Sequence, residues 1–412
     1  MPLGRWLLPP GATPDAARLV TARALRGYCD GLVSVLLPAY LVALGFSPFR
    51  VGAIATGTLL GSAVATLGVG LFAHRMHARK LLLGACILMA GTGAAFAGFA
   101  EFWPLLAVAV VGTLNPTAGD VSVFLPLEQS LLADTVAAQD RTDLYARNNV
   151  AAALAAAFGA LTSAFPGPAA RAFGISELDA MRGGFLLYVV VALVLLGLYR
   201  GLSQGLGAPH PSAPARPLAR SRGIVLRLSA LFTLDSFGGG FVVQSLLALW
   251  LFQRFDFSLV AAAQFFFVAT LLGGLSQLAS PRLAARIGMV RTMVYTHVPA
   301  NAFLMLAALM PTAPLAVTFL FLRMALSSMD VPARQAFVMA LVPPEERAAA
   351  ASFTNVPRSL GSSLAPLLSG WLLAQTSFGW PLLIAGALKI TYDLLFLARF
   401  RHHEAEMRQQ EA

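Results

Sequence analysis

Charge is scarce in this sequence. Only 12% of its 412 residues are Asp, Glu, Lys or Arg, while 58% are hydrophobic; soluble domains carry about 25% charged residues. With a mean hydropathy of +0.73, the chain is built for a solvent other than water. Cysteine is nearly absent. Cys29 and Cys86 both lie in apolar stretches and in neither a CxxC nor a CxxH pattern, which excludes a disulfide framework and a zinc ribbon and leaves no metal site to expect. A GxxxxGK[ST] loop is missing, so nucleotide hydrolysis is not the energy source, and no cofactor is implied. Paired metal ligands and a nucleophile triad are missing too, which argues against an enzyme. The stretch from Gly201 to Gly205 fits GxSxG, but no strand leads into it and no apolar helix follows, so the match is coincidental.

The formal net charge of +10 would suggest nucleic acid in a soluble protein. Here the basic residues form no run interleaved with exposed aromatics, and Phe falls mostly inside apolar stretches, so nucleic acid is not an expected partner. The first fourteen residues hold an apolar run too short for a secretory leader, broken by Pro9 and Pro10, and no cleaved leader is expected.

What is present is a succession of apolar runs of membrane-spanning length, each needing roughly 20 residues. Six fall near 22–45, 50–73, 80–100, 103–132, 146–166 and 183–200, and six more near 225–251, 258–279, 291–310, 313–341, 350–375 and 380–399. Between the sets, residues 201–223 are rich in Gly, Ser, Pro and Arg and lack any acid, as a flexible linker would. The expected organisation is an N-terminal six-helix half over 1–200, a cytoplasmic linker over 201–223, a C-terminal six-helix half over 224–400 and a tail over 401–412. Placing the N-terminus inside puts Arg75, Arg79, Lys80, Arg141, Arg147, Arg282, Arg286, Arg291 and Arg347 on the cytoplasmic face, so both termini are expected there.

The segment starting at Pro126 can be laid on that starting at Pro332 with an offset of 206 and no gap, matching Gln129 with Gln335, Arg141 with Arg347 and Asn149 with Asn355. Spans four and five thus correspond to ten and eleven, as in transporters built from parallel repeats. The loop after the second span, GLFAHRMHARK from Gly70 to Lys80, resembles the GxLaDrxGrRk loop of the major facilitator superfamily, and LAARIGMVR from Leu283 to Arg291 resembles its second-half counterpart. His74 and His77 stand where that family usually carries Asp and Gly. The resemblance implies an all-α membrane protein of twelve transmembrane helices in two pseudo-symmetric bundles, in the bacterial cytoplasmic membrane and monomeric. Around a central cavity it would move a small molecule by alternating access.

Charged groups inside a bilayer cost on the order of 2.5 to 3.5 kcal/mol each and so demand a partner, water or a function. Asp30, Asp120, Asp235 and Asp330 fall in spans one, four, seven and ten, which line the cavity in the resembling family; they are candidates for proton coupling or substrate contact. Asp30 follows Arg26 by four residues and could instead form an intrahelical pair. Asp235 has no arginine one turn away and precedes three glycines. Arg323, Ser327, Asp330 and Arg334 share one face of the tenth span, and Asn355, Arg358 and Ser362 form a stripe in the eleventh. Arg323, Arg358, Asn355, Gln244 and Tyr40 are candidate substrate contacts. Glu128 aligns with Arg334 in the repeat and could form a gating bridge; with Arg75, Asp134 and Arg286 these are the candidate conformational lock. Lys389 and Asp393, four apart, are expected to neutralise each other, and His297 with Asn301 to be hydrogen-bonded core residues. Substrate chemistry is expected to concentrate in the C-terminal half. The function expected is proton-coupled efflux of a drug-like compound or metabolite, with uptake of an organic anion on the cavity arginines as the alternative.

Overall fold

The computed structural model describes residues 13–72, 77–117, 124–136, 141–203, 205–206, 221–343 and 346–411. Among these residues there are helices and no strand. In chain order they are α1 (Pro14–Ala43), α2 (Pro48–Phe72), α3 (Ala78–Gly98), α4 (Phe102–Val111), α5 (Phe124–Ala133), α6 (Arg141–Thr162), α7 (Pro166–Phe173) and α8 (Glu177–Arg200). There follow α9 (Arg222–Gly240), α10 (Gln244–Phe255), α11 (Leu259–Gln277), α12 (Ser280–Ile287), α13 (Met289–Leu309), α14 (Ala313–Ser327), α15 (Asp330–Leu341), α16 (Arg347–Gln375) and α17 (Trp380–Glu411).

Nine of these elements, counting α9 with α10 and α14 with α15 as single spans, are long and apolar enough to cross a membrane, or ten if the bent pair α6–α7 counts as one. The other two elements of the twelve-span pattern are α4 with α5, and α16. At 29 residues α16 is about 44 Å long, so length is no obstacle. Its hydropathy is lowered by the polar stripe through Asn355, Arg358, Ser362 and Ser363.

Three runs expected to be continuous are interrupted, each for a local reason. The 103–132 run stops at Val111, where Gly112 and Pro116 intervene and Asn115 Oδ1 accepts the Thr117 N–H at 3.0 Å, a turn that replaces helical bonding. Tyr188 of α8 donates to the Thr113 carbonyl there at 3.0 Å, satisfying backbone that a bilayer could not. The 225–251 run breaks after Gly238, Gly239 and Gly240, a cluster with poor helix propensity. The 313–341 run breaks at Ser328 and Met329.

The chain forms two compact units. Unit 1 comprises 1–212, 244–252 and 256–267, and unit 2 comprises 213–243, 253–255 and 268–412. Within unit 1, α1 packs on α6 and α3 on α8; within unit 2, α9 packs on α16 and α13 on α17. First on fifth and third on sixth are thus repeated as seventh on eleventh and ninth on twelfth, giving the 206-residue repeat a structural counterpart.

The α1–α6 pairing is a backbone contact. A Cβ on Gly31 would lie 1.9 Å from the Ala156 carbonyl oxygen, and one on Gly159 would lie 1.9 Å from that of Tyr28. Small residues at such spacing let two membrane helices approach closely, which accounts for the alanine-rich composition of α6. Gly31→Val is therefore expected to destabilise the protein by at least about 1–3 kcal/mol through overpacking, read as a lower melting temperature in detergent. Gly84→Ala, at a position open to space, should leave it unchanged.

Candidate functional site

The charges of the C-terminal spans collect in one buried network inside unit 2. Asp235, 4% exposed in the middle of α9, accepts from Lys389 Nζ of α17 at 2.6 Å and from Arg334 Nη1 of α15 at 3.5 Å. Arg334 reaches Asp330, one turn before it, at 3.1 Å. His297 of α13 sets Nδ1 2.9 and 3.0 Å from the two oxygens of Asp393 on α17, and its Nε2 lies 3.9 Å from Asp235 Oδ1. Arg358 of α16 donates from Nε to Ser236 Oγ at 3.0 Å. The guanidinium carbons of Arg334 and Arg358 stand 5.7 and 5.9 Å from the Phe232 ring centroid, a favourable cation–π distance.

Three carboxylates thus meet three permanent cations, and with His297 neutral the charges cancel. Next to them is a packed aromatic layer of Phe232, Phe337, Tyr392, Phe396 and Phe400, all buried. A low-dielectric surround strengthens each ion pair and penalises any charge left over. The arrangement can therefore hold its charge only as a balanced set, and a proton gained or lost disturbs all of it.

A second, smaller set lies in unit 1. Arg26 of α1 makes two bonds to the Glu128 carboxylate of α5, the Nε bond at 3.2 Å, while Tyr199 of α8 donates to the same carboxylate. The Arg26 guanidinium also stands 4.7 Å from the Phe124 centroid. Two-pronged pairing of this kind fixes orientation as well as charge.

These contacts revise several sequence expectations. Lys389 does not neutralise Asp393: it reaches Asp235 across the helix interface, and Asp393 takes His297 instead, because residues facing the unit interior meet other helices before they meet their own next turn. Asp235, which has no arginine one turn away on its own helix, receives one from α15. Arg26 is bound to Glu128, and Asp30 is half-buried one turn on. Tyr40 is fully buried, and its hydroxyl donates to the Phe96 carbonyl at 2.7 Å at the end of α3.

Arg323 is half-buried on α14, with Nη1 3.3 Å from Met324 Sδ and a buried Nε that has no hydrogen-bond partner among the described residues. Asn355 is exposed, Gln244 half-buried at the start of α10, Asp134 exposed after α5 and Arg286 exposed at the end of α12. Asp120 and Arg75 lie outside the described residues. Lys389, His297 and Asp393 were not singled out for function by the sequence. The available signal was that each is an ionisable group deep in an apolar span, a position that implies a partner on another helix.

Removing one partner of a buried pair strands the other. Lys389→Met is expected to lower stability by up to about 3–5 kcal/mol, and Lys389→Met combined with Asp235→Asn to recover most of the loss. Thermal unfolding of the purified variants measures this, and a double variant no better than the single one would refute the pairing.

The geometry can be set beside known proteins. The Major Facilitator Superfamily model matches residues 19–329 and 298–412. A protein of Saccharomyces cerevisiae described as "Uncharacterized membrane protein YJR124C" is 23% identical over 437 residues, covering 97% of each chain. The crystal structure of a D-xylose-proton symporter superposes with a TM-score of 0.75 at 15% identity, covering 92% of this chain and 96% of the other. That of the nucleoside transporter NupG gives 0.72 at 16% identity, covering 94% and 99%. A helical membrane fold of repeated spans, together with a family match over nearly the whole chain, identifies this protein as a member of the major facilitator superfamily of transporters.

Proposed function

We propose that this chain is a gradient-driven, proton-coupled carrier that exports a small drug-like compound or metabolite by alternating access. The observation that carries the proposal is the network around Asp235. Burying seven ionisable groups together is a poor way to gain stability, since well-packed apolar residues commonly serve as well or better. Retaining them in membrane-spanning helices fits a group of residues that exchanges a proton. The absence of a nucleotide-binding loop from the sequence points the same way, to an ion gradient as the energy source, and a structure of the same fold is named as a proton symporter. Within this reading Asp30, Asp120, Asp235 and Asp330 are the acids available for coupling. Glu128, Arg334, Arg75, Asp134 and Arg286 belong to the conformational lock. The protein acts as a monomer in a cytoplasmic membrane with both termini inside.

A second reading, uptake of an organic anion, is favoured by two arginines that are not bound directly to a carboxylate. Among the described residues neither Arg323 nor Arg358 has a carboxylate within salt-bridge distance. Arg358 donates to the neutral Ser236, and Arg323 to a thioether. Guanidinium groups so placed suit a carboxylate or phosphate bound through two parallel bonds.

Transport in proteoliposomes separates the two readings. With an imposed pH gradient and a panel of nucleosides, pentoses, dipeptides, aromatic carboxylates and lipophilic cations, gradient-stimulated flux of a neutral or cationic solute that falls at least tenfold in Asp235→Asn is expected. Flux confined to carboxylates and lost in Arg358→Lys would establish the anion reading. Flux indifferent both to the gradient and to Asp235→Asn would sink the proton claim.

A further inference from the structure

We infer that His297, held between Asp393 and Asp235, is the group in unit 2 that takes up the coupled proton; this rests on the proton-coupled reading above. An ionised carboxylate can only accept hydrogen bonds. With both Asp393 oxygens at 2.9 and 3.0 Å from Nδ1, the Nδ1 proton is fixed and Nε2 keeps its lone pair. That lone pair lies on the side of Asp235, 3.9 Å from Oδ1. Among the described residues Nε2 makes no hydrogen bond that an arriving proton would break. That proton turns a neutral imidazole into an imidazolium flanked by two carboxylates, and it takes the cluster from balanced to one positive charge.

Asp393 is engaged by the Nδ1 proton of His297, and the other two acids of the cluster are committed to cations. Asp235 is bound by Lys389 and Arg334, and Asp330 by Arg334, so protonating either would strand a permanent cation in the interior. The groups around His297 can be named helix by helix. They are Lys389, Asp393 and Tyr392 on α17, the last with its ring centroid 6.2 Å away, Asp235 on α9, and Asp330 and Arg334 on α15. On α14 Arg323 is turned to Met324, and on α12 Arg282 and Arg286 are exposed. Of these only the imidazole ordinarily changes charge between pH 5 and 8.

The geometry also indicates what the proton would do. Lys389 Nζ and His297 Nε2 address the same oxygen, Asp235 Oδ1, at 2.6 and 3.9 Å. An imidazolium therefore competes with Lys389 for that oxygen and weakens the tie between α17 and α9. Pro299 lies two residues further along α13; lacking an N–H, it leaves the Tyr295 carbonyl without its helical partner and provides a point where the helix can bend.

The test is infrared difference spectroscopy of the full-length protein in phosphatidylcholine vesicles, stepped between about pH 5 and pH 8, the range in which an imidazole titrates. An imidazole signal that disappears in His297→Gln is expected, with no carboxyl protonation band in the wild type. Asp393→Asn, which keeps an acceptor at Nδ1 but removes the charge, should weaken proton binding by about tenfold or more, as loss of an adjacent opposite charge does, and it decides the matter if His297→Gln does not fold. A carboxyl band lost in Asp235→Asn would overturn the assignment to His297 while leaving proton coupling intact. If the only imidazole signals are those that persist in His297→Gln, and no carboxyl band appears, both the assignment and the proton-coupled reading fall.

Discussion

The ion pair between Lys389 and Asp235 is the contact around which unit 2 is organised. Neither charge could stay in an apolar span alone, and because they sit on α17 and α9 their pairing draws those helices together. Arg334 then ties α15 to the same carboxylate, and His297 brings α13 alongside through Asp393. Arg358 joins α16 by way of Ser236, the neighbour of Asp235. Five helices are held by polar contacts that all converge within one turn of α9. The phenylalanine layer beneath supplies the cohesion, but aromatic packing is tolerant of sliding, whereas charges that must cancel allow few registers.

Unit 1 solves the same problem with fewer groups. Arg26, Glu128 and Tyr199 link α1, α5 and α8 around a single carboxylate, and Asp30 lies one turn away. The contrast follows from the helices themselves. Beyond Asn149, α6 is rich in alanine and contributes close approach to α1, whereas its counterpart α16 carries Asn355, Arg358 and several serines. The repeat preserved the way the helices pair and let the chemistry on them diverge.

The all-helical, membrane-spanning character of the chain was legible in the sequence because a bilayer demands continuous apolar runs. The breaks were less legible. Asn115 with Pro116, and the Gly238–Gly240 triplet, are visible as turn or weak-helix signals, but the interruption at Ser328 carries no such mark. The partners of the buried charges were the least legible. Spacing along one helix suggests Lys389 with Asp393, yet which side chains meet depends on how helices are rotated against each other, and that is set by small-residue contacts distributed over the whole span. The same limit applies to Tyr40, whose bond to the Phe96 carbonyl of α3 no spacing along α1 announces.

Those small-residue contacts constrain motion as well as shape. On α9 a Cβ at Gly240 would come within 2.3 Å of the Ser362 carbonyl oxygen of α16, and on α16 one at Gly361 within 2.9 Å of the Thr233 side chain. Ser229 and Ser369 add hydrogen bonds to opposite backbones at 2.7 and 2.9 Å. The two helices are keyed like a shaft in its slot, so neither can turn about its own axis without the other. Asp235 and Arg358 accordingly travel as one part. Whatever the protein does to its charge network, it must do by moving α13, α15 or α17 against that keyed pair.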